Sequence, residues 1–326
     1  METFGNRENS PPNPVETKVV KKLRLLITGS SGLLGQKVTH LSLEKGYGVY
    51  STYNEHPANL GNSIRLDLTD QNQVLKIINA IKPDAIIHTA AYTNLDDCEI
   101  NQDLAWKINA EATKNIAEAS SQISAHLTYV STDYVFDGTK GSYAEQDSTN
   151  PISYYAFTKL KGEEFVKKNA NTWCIARPSV IYGWGLKYKL NFATWLIINL
   201  QQGKEVKVLT NQYVSPTLNT NLAEMLLEIT ERKISGIFHT AGATRVSRHE
   251  FALKLADAFN LNTSLIKPAK ISDMEWKAKR PKDSSLNVNK AVALLNKKPL
   301  TLNQAFEVMK KEKSHPSNVD VFNRMT

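Results

Sequence analysis

Cysteine is scarce in this chain of 326 residues, which contains only Cys98 and Cys174. Two cysteines provide no disulfide framework, so a small scaffold held together by disulfides is excluded. No apolar run approaches the roughly 20 residues that a membrane-spanning helix needs. The first ten residues also lack the apolar core of a signal peptide. We therefore expect a globular protein of the cytoplasm that contacts no membrane.

Positive charge is concentrated near the carboxyl end. The formal net charge is +8, and the segment from Lys267 to Lys313 has 12 Lys or Arg against 5 Asp or Glu, a net charge of +7. A basic segment suits nucleic acid, a membrane surface or a small anion. These charges are dispersed among apolar positions and lack the clustered arginines of a nucleic-acid groove. They favour a small anionic ligand, with an ordinary solvated surface as the alternative for each lysine.

The order of apolar strands and amphipathic helices predicts an α/β protein. Such alternation is typical of a parallel sheet covered by helices on both faces. Strands are predicted at 23–28, 48–52, 84–91, 126–131, 172–177, 205–209 and 236–240, and helices at about 71–81, 101–121, 191–202, 219–232 and 247–261; residues 64–70 are predicted to end a loop. The pattern becomes less regular after Gly183, which indicates a second lobe to which only part of the later chain belongs.

We therefore expect a Rossmann-type, doubly wound parallel sheet with a smaller, discontinuous α/β substrate lobe. The predicted organisation is a flexible tail at 1–22, a dinucleotide-binding domain at 23–183, a mainly substrate-binding lobe at 184–313 and a second flexible tail at 314–326. The tails are predicted from their polar composition and lack of apolar periodicity.

A glycine-rich turn stands between the first strand and the first helix. Gly29, Gly32 and Gly35 follow the apolar run 23–28 and open a helical pattern that continues to Leu43. Glycines at this place let the backbone approach a pyrophosphate, and the helix amino terminus offers free N–H groups to it. The turn predicts a dinucleotide site, although glycines that merely pack a strand–helix turn are the alternative.

Tyr155 and Lys159 are four residues apart and share one face of a predicted helix. Alone, this spacing also fits an amphipathic surface helix. Upstream, however, the strand 126–131 leads into Thr132, and ligands bind at the carboxyl ends of strands in an open parallel sheet. A hydroxyl, a tyrosine and a lysine at that edge suit hydride transfer to or from a carbonyl group.

Together these motifs resemble the extended short-chain dehydrogenase/reductase family from Leu23 to about Lys313. More narrowly, the chain resembles dTDP-4-dehydrorhamnose reductases, and it is also related to the regulatory β subunit of methionine adenosyltransferase. The motifs that carry this resemblance are Ala90-Ala-Tyr-Thr93, Ser131-Thr-Asp-Tyr-Val-Phe-Asp-Gly138, residues 155–163, Arg177-Pro-Ser-Val-Ile-Tyr-Gly183, Ser215-Pro-Thr217 and Arg280-Pro281.

The resemblance implies a catalytic role for three residues. Thr132 orients the keto oxygen, Tyr155 is the general acid, and Lys159 lowers the pKa of Tyr155 and holds the nicotinamide ribose. An ordinary tyrosine pKa of about 10 is too high for ready proton exchange near neutrality, and a nearby cation lowers it.

The resemblance also implies cofactor and substrate contacts. The cofactor-binding residues are Gly29, Ser31, Gly32, Leu33, Leu34 and Gly35 at the pyrophosphate, Asp67 and Leu68 at the adenine, Ala90, Ala91 and Tyr92 at the ribose and nicotinamide, Pro178 near the nicotinamide ring, and Tyr155 and Lys159. The substrate-binding residues are Thr132, Asp133, Tyr134, Asn191 and Arg280, and no metal ligand is expected. Plain alternatives exist, since Asp67 also suits the cap of a turn and Arg280 suits a structural ion pair.

NADPH is the expected cofactor, with NADH as a second one, because the strand at 48–52 is followed by Tyr53 and Asn54 and by no acidic residue that grips a ribose 2′-hydroxyl. The expected partners are a nucleotide-diphosphate sugar and a second copy of the chain in a homodimer, without nucleic acid.

The expected reaction is reduction of the C4 ketone of a dTDP-linked 6-deoxy-4-keto hexose. Two alternatives stay open: a nucleotide-sugar epimerase or dehydratase, and a non-catalytic subunit that binds a methionine adenosyltransferase. The chain departs from the reductase pattern at Val180, where a Trp is common, and in Asn211-Gln-Tyr-Val-Ser-Pro-Thr217. Both segments lie towards the sugar in that family, so the identity of the sugar is open.

Overall fold

The computed structural model describes residues 22–57, 60–185 and 190–313. The tails expected at 1–22 and 314–326 lie outside these ranges, apart from Lys22. The strands are β1 (Arg24–Thr28), β2 (Gly48–Tyr53), β3 (Asn62–Arg65), β4 (Ala85–His88), β5 (His126–Val130), β6 (Trp173–Arg177), β7 (Ile181–Tyr182), β8 (Val206–Leu209), β9 (Tyr213–Val214), β10 (Thr217–Leu218), β11 (Gly236–His239), β12 (Val246–Ser247) and β13 (Ile266–Ala269). The helices are α1 (Leu33–Glu44), α2 (Gln71–Ile81), α3 (Leu95–Ile100), α4 (Gln102–Trp106), α5 (Ala112–Gln122), α6 (Tyr154–Asn169), α7 (Phe192–Gln201), α8 (Asn219–Glu231), α9 (Arg248–Ala258), α10 (Asn289–Leu294) and α11 (Leu302–Lys313).

Seven strands form the central sheet in the order β11-β6-β5-β4-β1-β2-β3. All neighbours in it are parallel. The order reverses between β1 and β4, and in doubly wound sheets a crevice opens at this point outside the carboxyl ends of the strands. The expected Rossmann-type fold is confirmed.

Both faces of the sheet are covered by helices, which explains the continuous burial of β4 and β5. On one face α1 and α8 pack against the strands through side chains such as Val38 and Leu226. On the other face α2, α5 and α6 contribute Val74, Ile116 and Val166 to a second apolar layer.

The smaller lobe has its own core, formed by α7, α9 and α11 around side chains such as Leu196, Phe251 and Phe306. Short strand pairs, β8 with β13 and β9 with β12, complete it. Because β11 returns to the central sheet and α8 packs on α1, the lobe is discontinuous in sequence, as expected.

Two parts of the predicted pattern differ from the structure. The segment predicted as the end of a loop begins as β3, a polar edge strand whose side chains are largely exposed, so it has no apolar signal. The helix predicted over 101–121 runs from 102 to 122 but contains a π-helical turn at Lys107–Glu111. The helices α3, α10 and α11 were not predicted from the sequence.

Candidate active site

A cleft of about 780 Å³ lies at the carboxyl edge of the central sheet, between the sheet and the smaller lobe. It brings together residues that are far apart in sequence. The predicted site residues that line it are Gly29, Ser31, Gly32, Leu33, Leu34, Gly35, Asp67, Leu68, Ala90, Ala91, Tyr92, Thr132, Asp133, Tyr134, Tyr155, Lys159, Pro178 and Asn191. Arg280 is the one predicted site residue that does not line it.

The glycine turn leaves the start of α1 open to this cleft. Gly29 has a φ of +68°, and a Cβ on it would lie 2.7 Å from the Ala90 Cα. A Cβ on Gly35 would lie 2.1 Å from the Gly29 carbonyl oxygen. Packing of the strand–helix turn is therefore by itself a sufficient reason for glycine at these two positions, which is the alternative to a dinucleotide site stated above. Gly32, the residue before α1, has no capping side chain, so the first N–H groups of the helix suit a phosphate group.

A residue of the π-helical turn, Asn109, fixes the segment that follows β4. The Asn109 side chain accepts a hydrogen bond from the Tyr92 N–H at 2.8 Å and donates to the Tyr92 carbonyl at 3.0 Å. Its amide also donates to the Thr158 hydroxyl at 3.1 Å. Asn109 thus joins the segment that ends in Tyr92 to the helix that bears Lys159. Widened helical turns of this kind recur at functional sites.

The cleft carries no acidic residue at the end of β2, where the resemblance places the adenosine of the cofactor. Thr52, Tyr53 and Asn54 line the cleft there, and the Arg65 Nε donates to the Asn54 carbonyl at 3.2 Å. Arg65 is exposed on β3. The Asp67 carboxylate accepts from the Thr69 N–H and hydroxyl, so it stabilises its own turn as well as lining the cleft.

Lys159 is buried beneath the cleft floor. Its Nζ donates to the Val130 carbonyl at 2.8 Å and lies 4.2 Å from the centre of the Tyr129 ring. Burial lowers the pKa of Lys159 from 10.5 to about 7, and the Glu163 carboxylate partly opposes this shift. The Lys159 ammonium group therefore loses its proton near neutral pH.

Tyr155 faces Thr132 across the cleft. Burial raises the pKa of Tyr155, and a hydrogen bond with the Thr132 hydroxyl partly opposes that shift. The resemblance implies that Lys159 lowers this pKa; in the structure the effect of burial dominates and the pKa is raised, so the tyrosine is a neutral proton donor.

A buried ion pair anchors α6, the helix that bears Tyr155 and Lys159. The Arg177 Nε and Nη2 donate to the two Glu163 oxygens at 2.8 and 2.6 Å, and the Ser131 hydroxyl donates to the same carboxylate at 2.6 Å. The two charged side chains are 2% and 0% exposed. Glu163 is one helical turn beyond Lys159, so the pair fixes α6 against β5 and β6.

Asp133 is buried and surrounded by hydroxyl groups. One carboxylate oxygen accepts from Thr132 at 3.1 Å, and the other accepts from Ser179 at 2.7 Å and from Ser284 at 2.6 Å. Burial raises the pKa of Asp133 above its ordinary value, and these hydrogen bonds and the Arg248 charge partly oppose the shift. The Asp133 carboxylate is thus occupied by hydrogen bonds from within the protein, and one of the three donors, Ser284, comes from the smaller lobe.

The end of the cleft that faces the smaller lobe is formed by the starts of α7 and α9. The Arg248 Nε donates to the Gln212 side chain at 2.5 Å, and its guanidinium lies 5.1 Å from the centre of the Phe192 ring. Burial raises the pKa of the nearby Tyr134, and the positive charge of Arg248 partly opposes this shift. Asn191 caps α7 and donates to the Gly183 carbonyl at 2.8 Å.

Arg280 lies outside this cleft because Asp96 of α3 holds it. Its Nη1 and Nη2 donate to the two Asp96 oxygens at 2.7 and 3.0 Å, and the guanidinium stacks 4.2 Å from the centre of the Trp276 ring. The hydrogen bond from Arg280 is the main reason why the pKa of Asp96 is lowered to about 2. Arg280 lines a second cavity, of about 810 Å³, with Lys277, Lys279 and Lys282.

Two features are absent from the described part of the chain. It contains no group of three or more His, Cys, Asp or Glu side chains arranged to hold a metal ion. None of its helices is long and apolar enough to cross a membrane.

Comparison with protein families matches residues 23–314 to the RmlD substrate binding domain. The chain belongs to this family. Among curated family relatives, a probable low-salt glycan biosynthesis reductase of Haloferax volcanii is 32% identical over 267 residues, which are 81% of this chain and 89% of that protein. The β subunit of bovine methionine adenosyltransferase 2 is 32% identical over 293 residues, 86% of this chain and 85% of that protein.

A solved structure of the same family has a similar fold. The crystal structure of dTDP-4-dehydrorhamnose reductase from Bacillus anthracis in complex with NADP has a TM-score of 0.81 and 32% identity. The match covers 89% of this chain and 99% of that chain.

Several residues at or behind this site were not predicted from the sequence. Asn109, Arg248 and Ser284 are single polar residues without a recognisable spacing. Only the fold brings Arg248 into the cleft, Asn109 to Tyr92 and Ser284 to Asp133. Arg65 lies on β3, a segment for which the sequence predicts a loop. The pairing of β3 with β2, which places Arg65 beside Tyr53, therefore could not be predicted.

Proposed function

We propose that this protein is a reductase that uses NADPH, or NADH, to reduce the C4 ketone of a dTDP-linked 6-deoxy-4-keto hexose, with dTDP-4-dehydrorhamnose or a close relative as substrate. The observation that carries the proposal is the single cleft onto which Thr132, Tyr155, Lys159 and the glycine turn all face. The bound dinucleotide supplies the hydride, and the protein supplies position and electrostatics.

The relatives support this reaction class. The Bacillus anthracis reductase was solved with NADP and shares the fold across nearly its whole length. The Haloferax volcanii relative is also a probable reductase.

In this proposal Tyr155 gives its proton to the ketone oxygen as the carbonyl carbon is reduced. General acid catalysis of this kind typically contributes 10²- to 10⁴-fold to the rate. Lys159, fixed by the Val130 carbonyl, places its positive charge below the tyrosine. Thr132 lines the same cleft as Tyr155 and would orient the ketone oxygen.

The open first turn of α1 would hold the pyrophosphate, and the segment from Ala90 to Tyr92 would hold the nicotinamide side. Arg65 adds a cation next to Asn54 at the end of β2. An arginine at this place accommodates a 2′-phosphate, and an acidic residue that would repel it is absent from Thr52, Tyr53 and Asn54. These features favour NADPH.

Residues 184–313 would mainly bind the substrate. Arg248 lines the cleft at the start of α9, and its charge lowers the pKa values of Asp133 and Tyr134, which the resemblance assigns to the substrate. A guanidinium binds phosphate through two parallel hydrogen bonds. We propose that Arg248 binds the diphosphate of the substrate. Arg280 and its neighbouring lysines belong instead to the surface of the adjoining lobe.

A second candidate is a regulatory subunit of the methionine adenosyltransferase β type. The 32% identity to the bovine β subunit over 86% of this chain favours it as strongly as sequence similarity favours a reductase. The intact set of Thr132, Tyr155 and Lys159 favours catalysis, because a subunit that only binds a partner has no need of a proton donor.

One experiment separates the two functions. Purified protein is mixed with NADPH and a panel of nucleotide-linked 4-keto sugars, and oxidation of NADPH is followed by absorbance; Tyr155→Phe is the matched control. Stoichiometric turnover with one sugar, lost in the variant, supports the reductase. Absence of turnover across the panel, together with capture of a methionine adenosyltransferase catalytic subunit, supports the regulatory subunit.

A further inference from the structure

We propose that Tyr129 is a positioning residue that holds the Lys159 ammonium group against the face of its ring. The inference rests on the proposed reductase function, in which the charge of Lys159 supports catalysis by Tyr155. Tyr129 does not line the cleft, whereas Lys159 and Tyr155 do. Tyr129 therefore acts through Lys159 and not on the cofactor or the sugar.

Two consecutive residues of β5 fix the Lys159 ammonium. Its Nζ lies 4.2 Å from the centre of the Tyr129 ring, and the face of an aromatic ring attracts a cation within about 6 Å. The same Nζ donates to the Val130 carbonyl at 2.8 Å. Tyr129 and Lys159 are 0% and 2% exposed. Because both groups are removed from water, this attraction is stronger than it is at a surface.

The ring face stands where a buried cation ordinarily has a carboxylate. Glu163, one helical turn beyond Lys159, is paired with Arg177 through both of its oxygens. In the part of the chain that the structure describes, the Lys159 ammonium thus has a carbonyl and a ring face as partners, and no ion pair within 4.0 Å. Removing the ring would leave one of these two partners.

Neighbouring strands hold the Tyr129 ring in place. Thr28 of β1, His88 of β4 and Tyr129 are register partners across the sheet. The His88 ring stacks on the Tyr129 ring with centroids 5.5 Å apart, and its nitrogens lie 2.6 and 3.1 Å from the Thr28 and Thr113 hydroxyls. The Thr113 hydroxyl donates to the Asn109 carbonyl, so it accepts from His88. The imidazole is thus a neutral ring with both nitrogens occupied.

The helix makes room for Tyr129 from the other side. Gly162 lies inside α6, where glycine is unfavourable. A Cβ at this position would overlap the Tyr129 hydroxyl. That hydroxyl donates to the Lys159 carbonyl at 3.4 Å, a long hydrogen bond that contributes little. The glycine therefore admits a large ring directly beneath Lys159.

The ring should change the pH at which Lys159 loses its proton. Burial lowers the pKa of Lys159 to about 7, and the Glu163 charge partly opposes this shift. The other titratable and charged groups around Lys159 and Tyr155 are His88 of β4, Arg177 of β6 and Asp133 after β5. The Tyr129 ring face favours the charged ammonium, so its removal should lower the pKa of Lys159 by about one further pH unit.

Tyr129→Leu and Tyr129→Phe are the decisive pair, because leucine removes the ring whereas phenylalanine removes only the hydroxyl. Reduction needs the charged lysine, so kcat should fall as pH rises through the pKa of Lys159. In Tyr129→Leu this fall should begin about one pH unit lower than in the parent. Its kcat should then be about tenfold lower near pH 8 and within about threefold near pH 5. Tyr129→Phe should follow the parent, whereas a merely structural loss would lower kcat equally at every pH.

Phe238→Leu is the matched control. The Lys290 Nζ lies 4.2 Å from the centre of the buried Phe238 ring and donates to the Ile237 carbonyl at 2.6 Å. This is the same arrangement, but neither residue lines the cleft. The control should leave the shape of the pH profile unchanged. If Tyr129→Leu does not fold, a ring-fluorinated phenylalanine in place of Tyr129 keeps the size of the ring, weakens the negative potential of its face and should produce the same shift.

A measurement without turnover separates this proposal from the proposed function. NMR of lysines labelled with carbon-13 at Cε should show one group that titrates near pH 7 and is absent in Lys159→Met. It should be unchanged in Tyr129→Phe and about one pH unit lower in Tyr129→Leu or the fluorinated protein. If both of these titrate like the parent, the proposal fails even when the enzyme reduces its sugar. If the shift is found but no sugar is reduced, only the reductase function fails.

Discussion

Removing the charge of Glu163 should be among the most destabilising single substitutions in the protein. Glu163→Gln keeps the shape of the side chain but leaves the Arg177 guanidinium buried without a counter-ion. Arg177 already has one nitrogen, Nη1, without a hydrogen-bond partner. Breaking one side of a buried ion pair costs about 3–5 kcal/mol, a large share of the roughly 5–15 kcal/mol that stabilises a typical folded protein.

The neighbouring residue provides the matched control. Glu164 pairs with Lys161 at 2.7 Å, but these side chains are 50% and 32% exposed. Exposed pairs contribute about 0–1 kcal/mol, so Glu164→Gln should hardly change stability. The free energy of unfolding is measured by urea titration of the circular dichroism signal for the parent and both variants.

A double variant tests the stated cause. Replacing both partners, Glu163→Met with Arg177→Met, removes the uncompensated charge and should recover most of the loss, because apolar residues of similar size often substitute for a buried pair at little cost. The reasoning is refuted if Glu163→Gln costs no more than Glu164→Gln, or if the double variant is less stable than Glu163→Gln.

Four other outcomes are expected. Tyr155→Phe should lower single-turnover reduction by 10²-fold or more with cofactor affinity nearly intact, and a rate within about threefold of the parent would remove the tyrosine from its role. Burial lowers the pKa of Lys159 to about 7, so the folded protein loses this proton at a lower pH than the unfolded chain does. The free energy of unfolding should therefore rise with pH between about 7 and 10.5. Thermal unfolding across that range checks this, and the rise should vanish in Lys159→Met. NADPH should be used at least as well as NADH, and Arg65→Ala should lower kcat/KM for NADPH selectively; a hundredfold preference of the parent for NADH would contradict this. Arg248→Lys should raise KM for the nucleotide sugar by an amount that corresponds to about 1–3 kcal/mol. Arg280→Lys should mainly lower the melting temperature. The opposite result would show that Arg280, and not Arg248, binds the phosphate.

The central sheet and most of the cleft could be predicted from the sequence because their signals are local. Apolar strands such as β4 and β5, the glycine turn before α1, and the spacing of Tyr155 and Lys159 each lie within a few residues. The carboxyl ends of parallel strands meet at one edge, so placing Thr132 beside that pair needed only the strand order of the fold.

The remainder depends on contacts between distant segments. Arg280 and Asp96 are 184 residues apart, and nothing in either local sequence shows that they pair. Ser284 reaches Asp133 over 151 residues, and Arg248 enters the cleft only because α9 begins there. The edge strand β3 escaped prediction because three of its four residues are polar and exposed and Ile64 is its only apolar residue, which leaves no periodicity to detect.

The π-helical turn at Lys107–Glu111 makes the length of this helix part of the site. Each residue added to or removed from an α-helix turns the rest of it by about 100°. Deleting one residue here would restore a regular helix and would rotate Asn109 away from Tyr92 and Thr158, even though no cleft residue had been changed. A deletion that looks harmless in an alignment would therefore inactivate the protein, whereas many substitutions on the exposed side of the same helix would not.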